Sequence, residues 1–158
     1  MKDMKITAND YFKKVEDVSQ EYLAAHNIAG IILDIDNTIV VDGETVISQS
    51  VSEWLQNIGL PICLLSNGKE RRVKQFADLF GLGCVNNAKK PSCRGFLKAA
   101  QALGVNDMTK LAVIGDQLFS DILGGNMAGC YTIKIEPVDA TADPIAVKIK
   151  RWFERFIA

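Results

Sequence analysis

The stretch GIILDIDNTIVV, residues 30–41, holds the most hydrophobic strand candidate of the chain and closes it with two acids. Aliphatic residues run into Asp34 and Asp36, which stand only one residue apart, and aliphatic residues then resume. The apolar run predicts a buried strand, so both acids lie where that strand ends. Two carboxylates this close repel each other unless a positive group lies between them. We therefore expect a cation near Asp34 and Asp36.

Outward from this strand, apolar runs alternate with amphipathic segments. Five short runs rich in Ile, Val and Leu, separated by helices, predict a parallel sheet covered on both faces. With right-handed crossovers, this is a doubly wound five-stranded parallel sheet of the α/β class. The predicted strands are 30–36, 61–67, a short one within 81–90, 110–116 and 130–137, and the predicted helices are 48–60, 68–82, 92–105, 118–129 and 143–156.

Size and composition restrict the classes of function. The chain has 158 residues, of which 48% are hydrophobic and 23% charged, with a formal charge of -1. These values predict one globular domain over residues 1–158 and give no reason to expect a nucleic-acid partner. We find no apolar run long enough for a membrane span and no signal peptide, which predicts a cytoplasmic protein. A single histidine and four dispersed cysteines argue against histidine- or thiolate-based metal sites.

Polar residues with reactive groups follow four of the predicted strands. The carboxyl ends of parallel strands meet at one edge of the sheet, and ligands bind there, where the winding reverses. We therefore expect these side chains to converge on one site. Together with the two acids of the opening stretch, they are Ser66, Asn67, Lys90, Asp116 and Asp121.

The residue types in this set indicate phosphoryl chemistry. Carboxylates clustered without histidine or thiolate suit a hard cation such as Mg2+. A divalent ion would also make the repulsive pair Asp34 and Asp36 tolerable. Ser66 and Lys90 would then offer a hydrogen bond and a positive charge to an anionic ligand.

Four motifs stand at the strand ends in a fixed order: DIDNT, SNG, KKP and GDQLFSD. Each one alone also fits a turn or a helix cap. In register, they resemble the four motifs of the haloacid dehalogenase (HAD) superfamily. The run from Asp17 to Pro137 is similar to the YqeG-type HAD phosphatases of subclass IIIA, which include phosphatidylglycerophosphate phosphatases. Ser120 departs from that group, which more usually has threonine there.

The resemblance implies a role for each acid. Asp34 would attack phosphorus and form an aspartyl-phosphate. Asp36 would protonate the leaving oxygen and then take a proton from the hydrolytic water. Asp34, the backbone carbonyl of Asp36 and Asp116 would hold Mg2+, with Asp121 as a further or water-mediated ligand.

The resemblance also implies how the phosphoryl group is held. Ser66 and the backbone amide of Asn67 would donate hydrogen bonds to its oxygens, and Lys90 would offset their charge. Thr38 is expected to order the turn after the first strand.

The short connections between the predicted elements bear on the substrate. Only about ten residues, VVDGETVISQ, separate the first strand from the next helix, which leaves no room for a large cap domain. An open site predicts a bulky or macromolecular phosphate, or closure by another subunit. The leading hypothesis is a Mg2+-dependent phosphomonoesterase that acts on phosphatidylglycerophosphate.

Three alternatives stay open at this stage. The first is an uncapped, oligomeric phosphatase of sugar phosphates or other metabolites. The second, from another class, is a phospho-accepting signalling domain, and the third is a structural or binding module. Asp36 favours an enzyme, because an acid/base two residues beyond the nucleophile promotes turnover.

The C-terminal run PIAVKIKRWFERFIA, residues 144–158, carries apolar residues at helical spacing with basic residues between them. One interpretation is a terminal helix packed on the sheet. The other is an interfacial helix that contacts anionic lipid, which would place the protein at the inner membrane face. The sequence leaves both interpretations, and the oligomeric state, open.

Overall fold

The structure, a computed structural model, describes residues 6–138. In this part of the chain, six strands form one sheet, and every pair of neighbouring strands is parallel. The strands are β1 (Asp10–Phe12), β2 (Gly30–Leu33), β3 (Ile62–Leu65), β4 (Gly83–Val85), β5 (Leu111–Gly115) and β6 (Tyr131–Ile135).

The order of the strands across the sheet is β1-β6-β5-β2-β3-β4. From β2 the chain moves outward through β3 to β4. It then crosses to β5 on the other side of β2 and continues to β6. The winding therefore reverses between β2 and β5, which is where such sheets bind ligands. The predicted α/β class and doubly wound parallel sheet are confirmed.

The sheet has one strand more than the five predicted. The additional strand, β1, pairs with β6 at the edge, with Asp10 opposite Ile133. It is only three residues long, and its middle residue, Tyr11, is exposed. No apolar run marks such a strand in the sequence, because its position at the edge comes from pairing with a distant segment.

The helices are α1 (Gln20–Ala25), α2 (Gln49–Asn57), α3 (Glu70–Phe80), α4 (Cys93–Leu103) and α5 (Gly124–Ala128), preceded by a π-helical segment (Leu118–Leu123), with 3-10 turns at Val15–Asp17 and Met108–Lys110. The predicted helices 48–60, 68–82, 92–105 and 118–129 match the elements from α2 onward, with shorter ends, and α1 precedes the five helices predicted above. Ser48 caps α2, since its side chain accepts a hydrogen bond from the amide of Val51. Both α3 and α4 end at a glycine in the left-handed conformation, Gly81 and Gly104. The predicted helix over 143–156 lies outside the described residues.

Both faces of the central strand β2 are buried. Ile31 and Leu33 pack on one side in a cluster that includes residues of α1, α2 and α3. Ile32 packs on the other side, in a cluster that includes Phe96 of α4. Each such side chain stabilises the fold by about 1.5–3 kcal/mol relative to an exposed one. The strand that precedes Asp34 is therefore held firmly on both sides.

The carboxyl edge of the sheet carries no cap domain in the described residues. The connections over residues 34–48 and 86–92 are too short for one and contain no helix. This confirms the predicted absence of a large cap. None of the helices within residues 6–138 has the length and apolar character needed to cross a bilayer. The prediction of one domain over residues 1–158 stays a prediction.

Candidate active site

Three aspartates meet at the carboxyl edge between β2 and β5. Asp34 directly follows β2, and its amide donates a hydrogen bond of 3.0 Å to the carbonyl of Ile114 in the neighbouring strand. Asp116 directly follows β5. One carboxylate oxygen from each of Asp34, Asp116 and Asp121 lies within 4.8 Å of the other two. The structure thus brings together three of the acids that the sequence places at strand ends.

Asp121 reaches this group through the unusual backbone that follows β5. The segment that holds it is a π-helix, a local distortion that is frequent at functional sites. Its carboxylate accepts a hydrogen bond of 3.1 Å from the amide of Gln117. It also lies directly against Gly115, where a Cβ atom would come within 2.4 Å of the Asp121 Cγ. Only glycine at position 115 leaves room for this carboxylate.

Lys90 places its ammonium group between the acids. Its Nζ lies 2.8 Å from Oδ1 of Asp34 and 2.6 Å from Oδ1 of Asp121, and it donates a third hydrogen bond, of 3.0 Å, to the carbonyl of Leu65. Three partners satisfy all three ammonium donors. We call Asp34, Lys90, Asp116 and Asp121 the inner acid cluster.

The side chain of Asn67 holds the backbone of Lys90. Its Oδ1 accepts a hydrogen bond of 2.7 Å from the Lys90 amide, and its Nδ2 donates one of 3.4 Å to the Lys90 carbonyl. The side chain of Asn67 therefore places the segment that carries the lysine. The sequence predicts a role for the backbone amide of Asn67 in phosphate binding and none for its side chain.

Burial and charge act in opposite directions within the inner acid cluster. Burial disfavours the charge of Lys90, but Asp121 and Asp34 outweigh it and raise the pKa of the lysine above its usual value. Burial, followed by the charge of Asp34, raises the pKa of Asp121 to about 6 even though Lys90 acts to lower it. Two of the three gathered carboxylates, those of Asp34 and Asp121, thus share one ammonium group, and the ligand atoms that the three aspartates offer are all oxygens. This donor set fits a hard divalent cation.

Thr38 also belongs to the surroundings of these acids. Its Oγ1 lies 3.1 Å from Oδ2 of Asp34 and 3.4 Å from Oδ1 of Asp116, so its hydroxyl can donate to either. Its amide bonds to the carbonyl of Ile35, in the turn that the sequence analysis expected it to order. The contact with the acids was not predicted.

Two hydroxyl side chains make local hydrogen bonds. Ser66 is buried at the end of β3, and its Oγ accepts a hydrogen bond of 2.9 Å from the amide of Gly68. An acceptor role leaves the hydroxyl hydrogen of Ser66 available for a phosphoryl oxygen. Ser120 donates a hydrogen bond of 2.8 Å to Oε1 of Gln117. The hydroxyl at position 120 therefore bonds within the segment that carries Asp121.

Asp36 faces a different cation. Its carboxylate pairs with the guanidinium of Arg72 in α3, with Oδ1 2.8 Å from Nη2 and Oδ2 2.9 Å from Nη1. Its Oδ1 also accepts a hydrogen bond of 3.0 Å from the amide of Gly43. We call the Asp36–Arg72 pair the outer ion pair, because these side chains are 30% and 24% exposed.

Arg72 is a site residue that the sequence analysis missed. Its Nη2 donates a hydrogen bond of 2.7 Å to the carbonyl of Glu44, and its guanidinium stacks over the ring of Phe76 at 5.3 Å from the centroid. A signal was available, since Arg72 stands four residues before the buried Phe76 and so shares its face of α3. Helix α3 follows β3 in the chain, so its first turns lie near the end of β3, where the site is.

The fold and the site together define an α/β enzyme with an acid-rich centre at the switch point of a parallel sheet. The model of the haloacid dehalogenase-like hydrolases matches residues 48–129. The chain belongs to this family of hydrolases and is a phosphatase of the HAD type. The resemblance in the motifs is thereby confirmed. The signalling-domain and binding-module alternatives lose their support.

Individual relatives agree with this membership. The chain is 34% identical to a Bacillus subtilis (strain 168) protein named "Probable phosphatase YqeG", over 94% of this chain and 87% of that protein. It is 24% identical to "Phosphatidylglycerophosphate phosphatase 1, chloroplastic" from Chlamydomonas reinhardtii, over 90% of this chain and 57% of that protein. The fold is similar to that of a HAD-superfamily hydrolase from Ehrlichia chaffeensis, with a TM-score of 0.51 and 18% identity, over 77% of this chain and 66% of that one.

Proposed function

We propose that the protein is a Mg2+-dependent phosphomonoesterase that hydrolyses phosphatidylglycerophosphate through an aspartyl-phosphate on Asp34. One observation carries the chemistry. Lys90 Nζ lies 2.8 Å from Oδ1 of Asp34, inside a group of three carboxylates at the switch point of the sheet. A carboxylate held beside a fixed ammonium group is a nucleophile placed where a phosphoryl group would be stabilised.

The proposed reaction has two displacement steps. In the first, a carboxylate oxygen of Asp34 forms a bond to phosphorus while the bond to the leaving oxygen breaks, and Asp36 gives that oxygen a proton. In the second, water attacks the aspartyl-phosphate, Asp36 takes a proton from it, and inorganic phosphate leaves Asp34. Lys90, the Ser66 hydroxyl and the Asn67 amide would hold the phosphoryl oxygens in both steps.

The residues that would hold Mg2+ are Asp34, the carbonyl of Asp36, Asp116 and Asp121. Their donor atoms are all oxygens, and the three carboxylates are already gathered within 4.8 Å. When bound, the ion supplies positive charge that orients the phosphoryl group and neutralises the charge that develops on it.

Two observations support a lipid phosphate as the substrate. A relative at 24% identity is named a phosphatidylglycerophosphate phosphatase. The carboxyl edge of the sheet carries no cap within the described residues, so a bulky substrate can reach it. The C-terminal basic segment that could contact a membrane lies outside those residues. A sugar phosphate is the competing substrate, and the experiment must separate the two.

The test is the release of inorganic phosphate from phosphatidylglycerophosphate, a sugar phosphate and p-nitrophenyl phosphate, with Mg2+ or with EDTA. We expect the lipid substrate to give the highest kcat/KM and EDTA to stop all release. Asp34→Asn should lower kcat by about 10³-fold or more, because it removes the nucleophile. Asp78→Asn is the matched control, since Asp78 is exposed on α3.

Two outcomes would count against the proposal, at different levels. Wild-type activity in Asp34→Asn would overturn the mechanism. If the protein hydrolysed the sugar phosphate and not the lipid phosphate, the proposed substrate would be wrong, but the proposed class of enzyme would still stand.

A further inference from the structure

We propose that Arg72 is a positioning residue that aims the proton-transferring carboxyl of Asp36 at the leaving oxygen. The inference rests on the proposed role of Asp36 and concerns how that side chain is held. In the described part of the chain, the contacts to its carboxylate come from Arg72 and from the amide of Gly43. Arg72 meets both carboxylate oxygens, so it fixes the plane of the carboxyl group as well as its place.

The anchoring of Arg72 itself supports this role. Its guanidinium also donates to the carbonyl of Glu44 at 2.7 Å and stacks over the ring of Phe76. One guanidinium thereby joins helix α3, the turn at residues 43–44 and the carboxyl of Asp36. A planar fork with fixed geometry can make these contacts together, whereas the point charge of a lysine cannot reproduce the two-oxygen contact.

The contrast with Asp34 shows why such a support is needed. Asp34 is surrounded by Lys90, Thr38 and two further acids, and Asp36 has none of these partners. A carboxyl group that is partly exposed, as that of Asp36 is, would otherwise sample several rotamers. Misplacing a proton donor by about 1 Å can lower a rate by about 100-fold.

The role predicts a dependence on the leaving group that a merely structural residue would not show. An alkoxide leaving group needs a proton as its bond to phosphorus breaks, but p-nitrophenolate leaves without one. The loss of a well-placed proton donor should therefore harm alkyl phosphates and spare p-nitrophenyl phosphate. The kcat/KM value reports this first displacement step and is free of the later hydrolysis of the aspartyl-phosphate.

The experiment compares kcat/KM for p-nitrophenyl phosphate and for an alkyl phosphate, either glycerol phosphate or phosphatidylglycerophosphate. Arg72→Gln should lower kcat/KM for the alkyl phosphate by about 10- to 100-fold and for p-nitrophenyl phosphate by less than about 3-fold. Arg72→Lys should show the same selectivity with a smaller loss. Arg71→Gln is the matched control, because it removes the same charge from an exposed position one residue away.

A double variant tests whether Arg72 acts through Asp36. Once Asp36→Asn has removed the proton donor, adding Arg72→Gln should change kcat/KM no further. Additive losses would overturn the proposal. Equal losses on both substrates would also overturn it, because they would show that Arg72 binds the phosphoryl group or supports the fold. A gain on the alkyl phosphate would mean that Arg72 withholds Asp36 instead of aiming it.

Two other failures can be distinguished from these outcomes: a variant that does not fold, and a wild-type protein that lacks the proposed activity. Circular dichroism and thermal unfolding identify a variant that does not fold, and Arg72→Lys then decides the question with the same two substrates. Hydrolysis of p-nitrophenyl phosphate by the wild type tests the proposed function separately, so its absence would count against the enzyme mechanism and not against Arg72 alone.

Discussion

The inner acid cluster and the outer ion pair begin two residues apart in the chain, yet they hold their charges in different ways. In the inner cluster, the Lys90 side chain is only 3% exposed and is shared by two carboxylates. In the outer ion pair, Arg72 binds the single carboxylate of Asp36, and both side chains are partly exposed. The protein thus provides a separate cation for Asp34 and for Asp36, where the sequence suggested only a shared metal ion.

The two regions differ in what the loss of one charged partner costs the folded protein. Removing one partner of a buried ion pair leaves a charge that water cannot reach, which is costly. Removing one partner of a partly exposed pair leaves a charge that water can solvate, which costs little. The inner acid cluster should therefore govern the stability of the protein, and the outer ion pair should govern the rate while leaving stability nearly unchanged.

The largest effect on stability is expected for Lys90→Met. In EDTA, the free energy of unfolding should fall by about 3–5 kcal/mol, because Asp34 and Asp121 lose their shared cation while their side chains are only 12% and 2% exposed. Urea unfolding measures this change, and added Mg2+ should recover part of it. Lys74→Met, at an exposed position of α3, is the control. A loss below about 1 kcal/mol would show that the inner acid cluster is solvated like the outer ion pair.

A smaller effect is expected for Gly115→Ala. The added Cβ would lie 2.4 Å from atoms of the Asp121 carboxylate, so that side chain must shift from the position in which it contacts Lys90. The free energy of unfolding should fall by about 1–3 kcal/mol, and the Mg2+ concentration for half-maximal phosphate release should rise. Gly83→Ala in β4 is the control, since an added Cβ there meets its nearest neighbour at 3.7 Å. Equal behaviour of the two variants would argue against close packing at Gly115.

The smallest effect is expected for the stability of Arg72→Gln. The free energy of unfolding should fall by only about 0–1 kcal/mol, because the outer ion pair is partly exposed to solvent. The same urea experiment measures it beside Arg71→Gln. A loss as large as that of Lys90→Met would remove the distinction between the two regions.

Much of the fold could be predicted from the sequence, because its signals are local. Apolar runs bounded by turn residues mark the strands, and 3.6-residue spacing marks the helices. The strand β1 could not be predicted, because its three residues carry no such pattern and are placed by pairing with β6. The π-helical segment could not be predicted either, because its sequence has the pattern of the first turns of an ordinary helix.

The site was predictable to the extent that parallel strands bring their carboxyl ends to one edge. That rule gathers Asp34, Lys90, Asp116 and Asp121 without any knowledge of distances. It does not reach Arg72, which lies in helix α3 outside the four strand-end motifs. It also does not show that the Asn67 side chain holds the backbone of Lys90, because that contact joins two loops.

The sequence by itself determined the order of the five predicted strands and the family, and it predicted the acids of the site, because all of these depend on short contiguous motifs. Only the tertiary structure decided which cation meets which acid. Lys90 lies 56 residues from Asp34, and Arg72 lies 36 residues from Asp36. Pairings over such separations depend on how helices and loops pack around the sheet. No local pattern contains that information.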